Sequence, residues 1–122
     1  MMMMGRCLLV AVASVAMIGA ASAHAHLVSA DPAAGGVIHA GPTQLKLIFS
    51  EDLEAGLSGV TVTASGATEA AANPAVLARE NGKTLIVSLP APLAVGVYTV
   101  NWHALSKDGH ATHDSYSFTV AP

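Results

Sequence analysis

An all-β domain, a Greek-key β-barrel or sandwich, is the fold class this sequence predicts, and two observations predict it. Apolar residues recur with period two in five separate runs, and turn-forming residues fall between those runs. A period of two marks a strand with one buried face, and short strands cut this often by turns fold as antiparallel sheets packed on each other.

In chain order, the first 23 residues read as a secretory signal peptide rather than as part of the domain. Arg6 supplies the positive start, an apolar run extends from Cys7 to about Met17, and Gly19, Ala20, Ala21, Ser22 and Ala23 supply the small-residue cleavage site. A membrane helix competes with that reading. It needs about 20 predominantly apolar residues, whereas this stretch turns to Ala, Gly and Ser at its end. Cleavage after Ala23 is therefore expected, leaving residues 24–122 as a secreted domain with no stable membrane insertion. Cys7 precedes most of the apolar run, so it is not a lipid-attachment cysteine and leaves with the leader.

Asp31-Pro32, Gly35-Gly36 and Gly41-Pro42 mark turns, with residues 35–42 as a loop. Leu45, Leu47 and Phe49 alternate with Gln44 and Lys46, which predicts a strand; Gly56 and Gly59 then precede a second, in which Val60, Val62 and Ala64 alternate with Thr61 and Thr63. The Ala-rich segment 64–78 admits either an edge strand or a short helical turn, because Ala propensity alone does not decide. After Asn81-Gly82, Leu85, Val87 and Leu89 form a third alternating run, ended by Pro90 and Pro92. Tyr98, Val100, Trp102 and Ala104 form the fourth, and Tyr116, Phe118 and Val120 the fifth, with Asp108-Gly109 turning between them. Phe49, Tyr98, Trp102, Tyr116 and Phe118 all fall on the buried parity, so core packing accounts for every aromatic and leaves no stacking platform.

Loss of the leader removes all five methionines, the one cysteine and Arg6. Lys46, Arg79, Lys83 and Lys107 then face eight acids, Asp31, Glu51, Asp52, Glu54, Glu69, Glu80, Asp108 and Asp114, a formal charge of −4 with His neutral. Nucleic acid is excluded as a partner, since phosphate binding needs clustered Lys and Arg. A disulfide is excluded as well.

Chemistry then rests on histidines and carboxylates, which concentrate in two places. His24-Ala25-His26 follows the cleavage site directly, and Lys107-Asp108-Gly109-His110-Ala111-Thr112-His113-Asp114 joins the last two strands. Processing would make His24 the first residue, so its α-amine and imidazole could bind one ion together. Asp108-x-His110 could add a carboxylate oxygen and a second imidazole. Nitrogen and oxygen donors of this kind suit Cu(II), and less well Ni(II). His39 in its Gly/Pro loop, and His103 on the outward face of its strand, read as solvent-facing; His113 also points outward by parity.

The ordered motifs add a resemblance. After the histidine come Leu-Val-Ser-Ala-Asp-Pro-Ala at 27–33, Leu-Ile-Phe-Ser-Glu-Asp-Leu at 47–53, the run from Gly96 to His110, and Tyr-Ser-Phe-Thr-Val at 116–120. Together they resemble the CopC family of periplasmic copper-resistance proteins over essentially all of residues 24–122. The resemblance implies a cupredoxin-like (Ig-like) Greek-key fold holding one Cu(II) per chain through His24, Asp108 and His110. It implies a place for Glu51 close by, as a weak ligand or hydrogen-bond partner, and for His26 as a coordinating or supporting group. It also implies a copper-transfer partner, an inner-membrane CopD-type protein. Some members carry a Met-rich Cu(I) loop; residues 64–78 contain neither Met nor His.

The expected function is thus a periplasmic Cu(II) carrier or buffer in copper homeostasis, resistance or uptake, and not an enzyme. Two other classes share parts of the pattern. A copper oxidase with an N-terminal histidine brace would use similar ligands, but this domain is small and has no aromatic left to grip a polymer. A metal-free Ig-like interaction module would leave unexplained why histidine follows the cleavage site.

Overall fold

The structure is a computed structural model and describes residues 24–67, 75–78 and 81–122. The proposed leader, and the centre of the Ala-rich segment, lie outside the described residues. Eight strands form in the order β1 (Leu27–Asp31), β2 (Val37–Ile38), β3 (Gln44–Phe49), β4 (Gly59–Ala64), β5 (Val76–Leu77), β6 (Thr84–Ser88), β7 (Gly96–Leu105) and β8 (Ala111–Val120), with one 3-10 turn at Ala55–Leu57. They make two four-stranded sheets, β1-β3-β6-β5 and β2-β8-β7-β4. Only β5–β6 and β7–β8 are sequence neighbours within a sheet; the other connections cross between layers, as a Greek-key sandwich requires. All pairings are antiparallel except that of β2 with β8.

The five alternating runs become β3, β4, β6, β7 and β8, with the expected faces inward. Leu45, Leu47, Phe49, Val62, Leu85, Val87, Val100, Ala104 and Phe118 are almost fully buried between the sheets. Phe49 from one sheet meets Trp102 from the other edge to face at 5.1 Å, and Tyr98 stacks on Phe118 at 5.5 Å. The first contact joins the two layers and the second ties β7 to β8 within one sheet, each more strongly than buried area alone. All five aromatics are therefore core, with Tyr116 half-buried at its margin.

Three strands carry weaker sequence signals. β5 settles part of the Ala-rich segment as an edge strand on β6. β2 is two residues long, too short for alternation to be read, and rests on the register Val37↔Thr119 and Ile38↔Val120. β1 is concealed by a bulge: its register to β3 shifts between Leu27 and Ser29, leaving Val28 turned out to solvent. An extra residue in one strand inverts the parity after it, so period two disappears from the sequence while the strand persists.

Candidate metal centre

The hairpin β7–β8 sets the site. Both strands run ten residues in unbroken register to Leu105↔Ala111, so the five residues from Ser106 to His110 are carried at one end of the sandwich. Gly109 adopts φ 92°, a left-handed conformation that glycine reaches without a steric penalty, and its N–H closes the turn on the Ser106 carbonyl at 2.9 Å. Ser106 itself is buried, continuing the inward parity of Trp102 and Ala104. Its hydroxyl donates to Asp108 Oδ1 and accepts from the His110 N–H at 3.3 Å.

A second segment braces this loop. The chain after β3 is anchored by fully buried Leu53, which bridges to Ser106, while the Glu54 and Lys107 amides donate to the Leu105 and Asp52 carbonyls. Glu51 and Asp108 consequently line one shallow depression.

The third segment is the start of the domain. Ala25 is fully buried and its carbonyl accepts from the Thr112 hydroxyl at 2.8 Å; the His26 amide donates to Ser50 Oγ at 2.9 Å, and the Ser50 amide to the His26 carbonyl at 2.9 Å. With Ala25 as the plug, extended backbone turns His24 and His26 the other way, and both are exposed. This strap lays the His24 ring against the His110 ring, edge to face, with centroids 4.7 Å apart.

Among the expected ligands, His24, His110 and Asp108 are thus brought together, and Glu51 is beside Asp108. His26 faces a neighbouring cleft lined by Trp102, Thr112, His113, Asp114 and Tyr116. His39 is elsewhere, its Nδ1 3.3 Å from the Pro122 carbonyl. The supporting residues Ser50, Ser106 and Thr112 were not anticipated. Only Ser106 carried a signal, since the alternation of β7 runs one step past Ala104 onto it.

His110 Nδ1 stands 3.1 Å from Asp108 Oδ1, with both side chains about half exposed. Ligands bonded at about 2 Å to a first-row metal ion lie about 3 Å apart when adjacent, so this pair already has the spacing of two neighbouring ligands. The Ser106 hydroxyl first, and His110 after it, hold the Asp108 carboxyl below its ordinary value against some desolvation. Asp108 is accordingly an anionic donor throughout the neutral range. Among the described residues no three His, Asp or Glu groups form a closed metal-binding set. The His24 nitrogen is bonded to Ala23 in the full sequence, so the amine that would complete a set appears only after cleavage.

A two-sheet Greek-key sandwich with imidazoles and a carboxylate gathered at one end defines the class: a cupredoxin-like β-domain with a surface nitrogen–oxygen cluster. The family follows from comparison with known proteins. The CopC domain model matches residues 27–121, and the chain belongs to the CopC family. It is 42% identical over 98 residues to Protein YobA of Escherichia coli K12, covering 80% of this chain and 79% of that protein. It is 37% identical over 105 residues to copper resistance protein C of Pseudomonas syringae pv. tomato, covering 82% of each. The crystal structure of CopC from Methylosinus trichosporium OB3b superposes with a TM-score of 0.75 at 33% identity, covering 81% of this chain and 95% of that one.

Proposed function

We propose that the chain is a periplasmic Cu(II) carrier or buffer with one Cu(II) carrier site, serving copper resistance, homeostasis or uptake. The observation that carries this reading is the meeting of His24, from the start of the domain, with His110 and Asp108 on the β7–β8 loop. Cleavage after Ala23 supplies the fourth donor, the His24 amine. Two imidazoles, an amine and a carboxylate are hard-to-borderline donors suited to Cu(II). Glu51, which lines the same depression as Asp108, would act as a weak ligand or bond the N-terminal group, and His26 would coordinate or support the strap. Relatives named for copper resistance agree with this cargo.

The protein acts by binding and release rather than catalysis. A brace-type oxidase needs a surface that grips its substrate, whereas Phe49, Tyr98, Trp102 and Phe118 are buried and Tyr116 is half-buried. No helix among the described residues is long and apolar enough to cross a membrane. Copper would be exchanged with an inner-membrane CopD-type protein at the exposed end that carries the loop.

Mass spectrometry of the secreted protein with and without Cu(II) tests processing and stoichiometry together. The expected species begins at His24 and gains one copper under native conditions at stoichiometric metal. A mature start elsewhere, or no copper adduct, overturns the reading.

A further inference from the structure

The outer face of the sheet β2-β8-β7-β4 carries a feature that the centre at the end of the sandwich does not use. His103 on β7 and His113 on β8 are directly paired across the strands, and both are exposed. Side chains directly opposite on antiparallel strands start from Cβ atoms about 4.5–5.5 Å apart, within which two imidazoles can reach one ion. The adjacent cross-strand pairs are Asn101↔Ser115 and Leu105↔Ala111, which bring no competing cation to the ion's position.

On the other side of His103, its partner on β4 is Gly59. A Cβ there would lie 2.5 Å from His103 Cε1 and 3.1 Å from its Nε2, so the imidazole rests in the space the glycine leaves open. Among the described residues no hydrogen bond or ion pair holds the ring there. Rotation about its Cα–Cβ bond into another staggered well would take it off Gly59, and the strand on the other side of β7 is β8, with His113 directly opposite.

We propose that His103 and His113 form a second, weaker site for a borderline divalent transition-metal ion, with Cu(II) bound most tightly and Ni(II) and Zn(II) less so. Two neutral imidazoles supply the protein ligands and water completes the coordination, in the order of affinity that nitrogen sites follow. The pair is two residues from the last pair of the hairpin, about 7 Å along the strand from the base of the Ser106–His110 loop. It needs neither the His24 amine nor the carboxylate of Asp108, so it stands apart from the carrier reading.

The test is a Cu(II) titration of two forms, one beginning at His24 and one with residues added ahead of it, followed by NMR line broadening and by competition with a chelator. In the form beginning at His24, the second equivalent should broaden the His103 and His113 ring signals; in the extended form, where the amine is lost, these signals should respond with unchanged affinity. Loss of a mere outer-sphere partner weakens metal sites about 10–100-fold, so H103A and H113A should each weaken this step about tenfold or more. The first equivalent, and both steps in H39A, should be unaltered. Broadening that centres on other residues, or a second step of full affinity in either H103A or H113A, overturns the proposal. Failure of the carrier reading would show instead in the first equivalent alone.

Discussion

Asp108 and Tyr116 show how differently two polar side chains on the same hairpin are treated. Asp108 is exposed, bonded to Ser106 and His110, and held ionised. On the proposed ligand set, D108A and H110A should each lower Cu(II) affinity by at least about tenfold, while H39A leaves the first equivalent unchanged; chelator-competition titrations measure this. Tyr116 is the opposite case: its hydroxyl is buried without a hydrogen-bond partner among the described residues, and burial, with the Asp31 charge adding to it, pushes its pKa up to about 12. Removing an unsatisfied buried hydroxyl relieves a desolvation penalty, so Y116F should raise unfolding free energy by about 1 kcal/mol in urea denaturation. A pKa higher in the folded state than the usual 10.0 means stability is present below pH 10 and lost as pH rises toward 12. That component of the alkaline loss should be missing in Y116F.

Elements are fixed here as much by backbone proximity as by apolar pattern. Gly41 lies against the chain after β6, where a Cβ would run into the Leu93 carbonyl, and Leu93 in turn donates to the Pro42 carbonyl. Backbone on both sides leaves nothing flexible to yield. G41A should therefore destabilise by about 1–3 kcal/mol, the usual range for overpacking, read as a lower urea midpoint with unchanged slope. Gly59 differs because the tip of an exposed imidazole is its neighbour. At the N-terminal strap, period two survives from His24 to His26 through buried Ala25, then breaks at the bulge of β1. The strap is read easily from sequence as a histidine motif, but the strand it leads into is not.

At the scale of the whole molecule, the proposed copper site would link metal binding to protonation at the end of the sandwich. Imidazole binds metal only when neutral, so Cu(II) affinity should fall on acidification from about pH 8 to about pH 5, across the ordinary histidine range, with protons released on copper addition. Calorimetry in buffers of different ionisation enthalpy measures that release, and an affinity independent of pH would exclude histidine ligation. Asp108 makes a separate contribution at lower pH. Its folded-state pKa is depressed, so the associated stability is present above the ordinary carboxylate range and is lost as pH falls through the lowered value.

The sequence by itself determined the faces of the five alternating strands and the aromatic core, and it limited the donor types open to the proposed site. Alternation fixes which side of a strand is buried, and the types available after residue 23 exclude sulfur. Those properties are local, carried by each residue and its near neighbours. Only the tertiary structure decided that His24 would lie beside His110, because that contact depends on Ala25 entering the core and on Thr112 and Ser50 holding the strap. Pairing across the hairpin likewise decided that His103 and His113 would be neighbours while their sequence parity says only that each points outward. Two strands in register convert separate outward positions into a shared one, and no pattern within either strand contains that register.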